Sequence, residues 1–280
     1  MAPTRRLFAA LLALLCLAVA APARAGVRAS GDPGVVATDA GRVRGVVTGG
    51  GRAFLGIPFA APPVGERRWR APGPVTAWPG LRDATRFAGA CAQKARAVLG
   101  ADEVTNEDCL YLNVFIPPGG GDGKPVLVWF HGGSFVSGTA AHYDASGLAR
   151  AGDLVVVTAN YRLGPFGYLA HPGLTAEAPD TGSGDYGLLD QQAALRWTRA
   201  NAAAFGGDPA RVTAAGQSSG GLSVCDHLAA PASRGLFARA VVQSAPCGVA
   251  SRPLAESTSA GRRFAAGAGC PGTVPATVVG

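Results

Sequence analysis

Gly216-Gln217-Ser218-Ser219-Gly220-Gly221 decides the reading of this chain. Arg211-Val212-Thr213-Ala214-Ala215 ahead of it reads as a short buried strand, and Leu222 to Ala230 behind it as a helix. The G-x-S-x-G pattern therefore falls on a strand, a sharp turn and a helix, the context in which a serine hydroxyl is presented as a nucleophile. Glycines flank Ser218 because a Cβ there would collide with neighbouring backbone once the turn tightens. A hydrolytic serine also needs a general base, and only His227 follows Ser218 in the 62 residues that remain. His227 lies nine positions on, along the body of the helix, which points away from the reacting face and outside the reach a base requires.

Some 85 residues upstream stands Trp129-Phe130-His131-Gly132-Gly133-Ser134-Phe135, directly after the apolar run Val126 to Phe130. A glycine pair at the end of a strand lets main-chain N–H groups turn toward the serine. The N–H groups of Gly133, Ser134 and Ser219 are the candidate oxyanion donors, aimed where a carbonyl oxygen becomes negative as Ser218 attacks. Losing one such donor typically costs 10²–10³-fold in rate. His131 reads as a structural member of this loop, and His142 and His171 fall in polar loops.

Around these motifs the chain alternates strands and helices. Val35 to Val47 is patterned as an edge hairpin turning at Asp39-Ala40-Gly41. Phe54 to Phe59 and the Pro- and Arg-rich stretch to Trp78 read as largely irregular, because Pro58, Pro62, Pro63, Pro72 and Pro74 interrupt regular hydrogen bonding. Leu110 to Ile116, Val126 to Phe130, Leu154 to Ala159, Arg211 to Ala214 and Ala240 to Val242 are near-continuous apolar runs, the mark of strands covered on both faces. Leu188 to Ala204 is a helix, ended by Gly206-Gly207-Asp208-Pro209. The alternation indicates a doubly wound α/β layer structure.

The first 25 residues carry Arg5 and Arg6, an uncharged apolar run from Leu7 to Ala21, and Ala23-Arg24-Ala25 before Gly26. This is the pattern of a secretory signal over 1-25, with residues 26-280 as the mature portion. The run is too short for a stable membrane anchor. The formal charge of +7 includes the three arginines of that segment, and the other basic residues are scattered without a run interleaved with aromatics. No nucleic-acid-binding pattern results. Five cysteines remain after residue 25, so one lacks an intramolecular partner, and Cys270 is the expected odd one. Cys91 and Cys109 bracket a polar loop whose closure would stabilise the fold by about 3 kcal/mol. No C-x-x-C pair or histidine cluster points to a metal, and no motif points to a cofactor. Nothing in the sequence sets an oligomeric state.

The motifs together resemble the type-B carboxylesterases, the family of the cholinesterases and bacterial para-nitrobenzyl esterases. The resemblance rests on Phe54-Leu55-Gly56-Ile57-Pro58-Phe59-Ala60-Ala61-Pro62-Pro63, Cys91-Ala92-Gln93, Glu107-Asp108-Cys109-Leu110-Tyr111-Leu112-Asn113-Val114, Asn160-Tyr161-Arg162-Leu163-Gly164, Tyr186-Gly187-Leu188-Leu189-Asp190-Gln191-Gln192, Phe205-Gly206-Gly207-Asp208-Pro209 and the elbow itself. It implies an α/β-hydrolase fold, a mostly parallel central sheet with helices on both faces, here stopping before the last strands. It further implies a disulfide between Cys91 and Cys109, a small-molecule ester substrate, and hydrolysis through an acyl-enzyme on Ser218. Glu107, Asp108 and Asp190 match the family's structural carboxylates.

Three departures accompany the resemblance. Gln217 stands where the family usually has Glu, Ser219 where it has Ala, and Ser134 at the last glycine of the oxyanion loop; a backbone N–H survives each change. The family's acid and histidine follow later in the chain, in the order Ser, Asp/Glu, His, and the partner of Cys270 falls just past Gly280. The expectation is an N-terminal half that is almost inert alone. Residues 92 to 108 contain no aromatic to hold a quaternary ammonium, which disfavours choline esters. Two rivals are a catalytically silent binding module on the same fold and an unstable fragment with open strand edges.

Overall fold

The apolar runs become the strands of one central sheet. The structure, a computed structural model, describes residues 32–94, 105–180, 182–249 and 252–270; the segment read as a secretory signal lies outside the described residues. The chain opens with β1 (Val35–Ala37), β2 (Arg42–Arg44), β3 (Val46–Thr48), β4 (Gly51–Pro58), β5 (Leu81–Asp83), β6 (Ala90–Cys91) and β7 (Thr105–Asn106). β8 (Tyr111–Ile116), β9 (Lys124–Phe130), α1 (Ser146–Gly152), β10 (Val155–Ala159), α2 (Gly164–Tyr168) and α3 (Pro172–Glu177) follow. The last third holds α4 (Tyr186–Asn201), β11 (Gly207–Gln217), α5 (Ser219–Ala229), β12 (Arg239–Gln243) and α6 (Leu254–Gly267).

The main sheet has the order β12-β11-β9-β10-β8-β4-β3. Its first four strands run parallel to one another, and the remaining neighbours pair antiparallel. Strand periodicity sends alternate side chains to opposite faces, and β10 uses both. Val155 and Val157 join the larger core with Ala194, Leu195 and Trp197 of α4 and Val224 of α5. Val156 faces the other way and packs with Ala149 of α1 and Phe115 of β8. Helices on both faces accord with a strand whose five residues are all buried, four of them apolar and the fifth, Thr158, hydrogen-bonded to Asn113.

β1 and β2 form the expected hairpin, Val36 opposite Val43, and β5 adds a third strand. Two elements differ from the sequence reading. Phe54 to Pro58 is not irregular but the second half of β4, paired with β8 as far as Pro58 opposite Tyr111. The register shifts between Phe54 and Ile57, where Gly56 takes φ 68°, and Pro58 is tolerated because it closes the strand. β11 begins at Gly207 rather than Arg211, because Gly207 pairs with Lys124 and the Asp208-Pro209 stretch is absorbed as an irregularity before Val212.

From β9 the chain crosses to β10 on one side and later returns to β11 on the other, so neighbouring connections leave β9 and β11 in opposite directions. A crevice forms outside the carboxyl ends of strands at such a switch point. His131 and Ser218 are the first residues beyond those two ends.

Gly147 in α1 is exposed, and a Cβ added there meets nothing within 4 Å. Gly147→Ala is expected to stabilise the protein by about 0.5–1 kcal/mol through helix propensity, read as a rise of about 2 °C in melting temperature.

Candidate active site

Strand pairing sets the site. Gly216 lies opposite Phe130 in the parallel β11/β9 register, so the turns that follow both strands emerge side by side. Ser218 takes φ 55° and ψ −124°, a backbone conformation that costs a non-glycine residue about 1–3 kcal/mol and persists only where its surroundings impose it. They do so here. The Ser218 N–H donates to the Gln243 carbonyl of β12 at 2.9 Å, and the Ser218 carbonyl accepts from Leu222 in the first turn of α5 at 2.9 Å. A Cβ on Gly216 would strike the backbone of Gly220, and one on Gly220 would strike the carbonyl oxygens of Phe130 and His131. Both glycines are thus required by close backbone approach. Ser218 itself remains half-buried.

The loop after β9 faces this serine. A Cβ on Gly132 would lie 3.1 Å from Ser218 Cβ and 2.7 Å from Gln217 Oε1. Gly133, Ser134 and Phe135 follow with φ of 123°, 55° and 62°. The Gly133 carbonyl accepts from the N–H groups of Val136 and Ser137, each at 3.0 Å, and from Ser137 Oγ at 3.2 Å. Because a trans peptide sets C=O and N–H on opposite sides, the Ser134 N–H is turned out of the loop. The Gly132 carbonyl accepts from His131 Nδ1 at 2.8 Å, and the Gly133 N–H is turned away from that ring for the same reason. Ser219 is the first residue of α5, where N–H groups have no intrahelical acceptor and the helix presents partial positive charge. Among the described residues no protein acceptor takes the N–H of Gly133, Ser134 or Ser219.

His131 is a structural residue. Its ring is buried, stacks on Tyr161 with centroids 4.4 Å apart, and is pushed down to about 4 in pKa chiefly by burial. The Tyr161 hydroxyl donates to the His131 carbonyl at 2.6 Å. Asn160 accepts from the Ala140 N–H at 2.8 Å and donates to the carbonyls of Gly89 and Cys109 at 3.1 and 3.2 Å. His227 is equally committed. Ser233 Oγ lies 2.9 Å from its Nδ1 and Gln191 Oε1 lies 3.0 Å from its Nε2. Gln191 donates onward to Ser223 at 3.1 Å and Gln192 to Ser233 at 3.0 Å. A ring that donates to one carbonyl oxygen and accepts from one hydroxyl is neutral, and burial holds its pKa down to about 4. His171 Nδ1 accepts the Gly173 N–H at the start of α3, and His142 is exposed.

These two rings give stability a defined pH dependence. Both take up a proton more readily in the unfolded chain than in the folded one, so between pH 6.5 and 4 the unfolded state binds more protons and stability falls as the pH falls. Each costs the folded state on the order of 3 kcal/mol of stability once the pH is below 4. The melting temperature is expected to drop steeply across that window and to be insensitive to these groups above pH 7, which thermal denaturation in a buffer series checks.

Glu107 and Asp190 are paired with arginines. Glu107 receives Arg68 at 2.7 and 2.8 Å. Asp190 is fully buried and takes the Arg162 guanidinium at 2.8 and 2.7 Å together with the Arg162 N–H at 3.0 Å. Desolvation nevertheless raises its pKa, more than the guanidinium lowers it. Asp226 on α5 is exposed. Cys91 and Cys109 form a disulfide, Cα atoms 4.9 Å apart, and Cys225 and Cys247 a second whose pairing the sequence left open. Cys270 is free. Among the described residues no group of three or more acidic, histidine or cysteine side chains could hold a metal ion, and no helix is long and apolar enough to cross a membrane.

The sequence reading named Ser218 and the three donor N–H groups as candidates and gave no role to Gln93, Gly138, Asn160 and Tyr161, which hydrogen-bond within and around the loop. They stand in the motifs Cys91-Ala92-Gln93 and Asn160-Tyr161-Arg162, but partners 45 and 71 residues away gave those motifs no readable task.

An α/β-hydrolase sheet with a strained serine beside a glycine loop defines the class. A model of the carboxylesterase family matches residues 32–280. The chain is 49% identical over 229 residues to the fumonisin B1 esterase of Sphingopyxis macrogoltabida, an alignment covering 80% of this chain and 42% of that protein. It is 45% identical over 231 residues to the para-nitrobenzyl esterase of Bacillus subtilis strain 168, covering 81% and 46%. The solved structure of a thermophilic PNB esterase superposes with a TM-score of 0.79 at 41% identity, covering 86% of this chain and 50% of that one. The chain belongs to the carboxylesterase family. It spans about half the length of the relatives it matches.

Proposed function

We propose that this chain carries the nucleophile and oxyanion-binding half of a secreted carboxylic ester hydrolase. The observation that supports this best is the convergence at adjacent strand ends: Ser218 held at φ 55° against Gly132, with three N–H groups left without acceptors around it. Ser218 Oγ attacks the ester carbonyl carbon, and the π electron pair moves to the carbonyl oxygen. The N–H groups of Gly133, Ser134 and Ser219 receive that charge in a site built before the reaction begins, worth several kcal/mol in the barrier. Collapse of the adduct breaks the carbon–oxygen bond to the alcohol, which leaves with the proton taken from Ser218, and water then hydrolyses the acyl-enzyme.

A base must accept the Ser218 proton, and among the described histidines His131 and His227 are held in buried networks of their own, while His171 Nδ1 accepts the Gly173 N–H. We assign base and acid to the portion of the family fold that follows the stretch matched here. Two disulfides accord with a secreted protein. The substrate class is small carboxylic esters, short-chain or aryl. The test is hydrolysis of p-nitrophenyl acetate by the wild type and by Ser218→Ala, each co-expressed with the C-terminal half of a family relative to supply base and acid: turnover that disappears with the hydroxyl supports the reading, and equal rates refute it in favour of a silent binding module.

A further inference from the structure

Gln93 stands two residues after a disulfide cysteine, in a motif to which the esterase reading gives no task. Its side-chain amide makes three hydrogen bonds. Oε1 accepts the Gly138 N–H at 2.8 Å, while Nε2 donates to the Gly138 carbonyl at 2.9 Å and to the Cys91 carbonyl at 2.9 Å. The amide thus pairs with both backbone groups of one glycine, as a neighbouring strand would, and is anchored at its own root. The root is fixed in turn, since Cys91 is buried and disulfide-bonded to Cys109.

Gly138 closes the far end of the loop that starts at His131. It takes φ 116°, and a Cβ there would collide with His131 Nδ1 and the Gly132 carbonyl. The Gly138 backbone therefore lies directly against the His131–Gly132 hydrogen bond that turns the Gly133 N–H outward. Its neighbour Ser137 donates twice to the Gly133 carbonyl, the contact that turns the Ser134 N–H outward. A shift of Gly138 would release both orientations together.

We infer that Gln93 is a positioning residue: it clamps Gly138 and so holds the Gly133 and Ser134 N–H groups in the orientation that receives the oxyanion, an inference that rests on the esterase reading of this loop. It reaches no substrate atom. Its effect passes through Gly138, and the disulfide sets where the clamp is rooted.

The exchange-protected amides of the loop report this directly. In Gln93→Met, which keeps chain length and removes the amide, Gly138, Val136 and Ser137 N–H exchange is expected about 10-fold faster or more, the loss of about one net hydrogen bond. Leu222 N–H, bonded to the Ser218 carbonyl in the elbow helix, should stay within about twofold of wild type. Acceleration confined to Gly138, with Val136 and Ser137 unchanged, would overturn the proposal, because the donors' peptide orientation would then not depend on the clamp. Should Gln93→Met fail to fold, Gln93→Glu serves: it keeps an acceptor for the Gly138 N–H but sets a carboxylate against the Gly138 and Cys91 carbonyls, and Val136 and Ser137 exchange must still rise.

The kinetic arm uses this chain co-expressed with the C-terminal half of a family relative, assayed with p-nitrophenyl acetate. Gln93→Met is expected to lower kcat about 10–100-fold with KM within about twofold, since the donors act in the transition state; a change in KM alone would count against it. If Ser218→Ala leaves the wild-type rate unaltered, the esterase reading fails, and the exchange result still decides whether Gln93 sets the loop.

Discussion

Expressed by themselves, these 280 residues are expected to hydrolyse p-nitrophenyl acetate about 10⁶-fold more slowly than a complete relative, the penalty for removing a triad histidine. The reason is proton transfer. An alcohol is a poor nucleophile until a base within about 3 Å takes its proton, and the two buried histidines of the described residues are committed. His227 is saturated by Ser233 and Gln191. His131 has Nδ1 on the Gly132 carbonyl and its ring flat against Tyr161. Each is also held to a pKa of about 4 by burial, well below the value near the working pH that suits a base. Co-expression with the C-terminal half of the Bacillus subtilis para-nitrobenzyl esterase, whose sequence is 45% identical over the shared stretch, is expected to raise turnover by several orders of magnitude. Ser218→Ala in the same pair should abolish the gain. High activity of the 280 residues alone would mean that a described side chain serves as base and would refute the assignment.

Features encoded by short-range pattern were legible in the sequence; features made by pairing across the fold were not. The elbow could be read because strand, turn and helix are contiguous and two glycines advertise close backbone approach. The five apolar runs gave five strands; β8 and β10 are buried at nearly every position, as such runs predict, whereas β12 at the edge of the sheet is largely exposed. Pro58 misled, since a proline reads as an interruption and here it is merely the last residue of β4. The start of β11 was hidden because Gly207 joins the sheet through a partner, Lys124, that lies 83 residues earlier in the chain. Gln93, Asn160 and the His227 network were silent for the same reason: a polar side chain gives no sign of its partner when 45 residues separate Gln93 from Gly138 and 36 separate Gln191 from His227. The candidate nucleophile could therefore be named from the sequence, and the contacts that surround it could not.

Gly220→Ala is the substitution expected to damage the fold most. The added methyl would meet two backbone oxygens, those of Phe130 and His131, and neither is the free end of a side chain that can rotate aside. Phe130 is fully buried at the end of β9, paired with Gly216 of β11 and Ala159 of β10. His131 is pinned through its carbonyl by Tyr161. Relief must come from moving α5 off the sheet, and α5 brings Val224 into the core, His227 into its network and Ser219 to the site. Overpacking a close-packed interior costs about 1–3 kcal/mol where side chains can adjust; a clash of backbone with Cβ at a helix start should exceed that, at about 4 kcal/mol or more, a large share of a domain's net stability. The expected result is a chain recovered mainly as aggregate, with any soluble fraction melting at least 10 °C lower by the usual scaling. Gly147→Ala is the matched control, since the same atom is added to a helix with nothing in its way. If Gly220→Ala melts with the wild type, the close approach of α5 to the ends of β9 and β11 is wrong, and with it the geometry that brings Ser218 to the glycine loop.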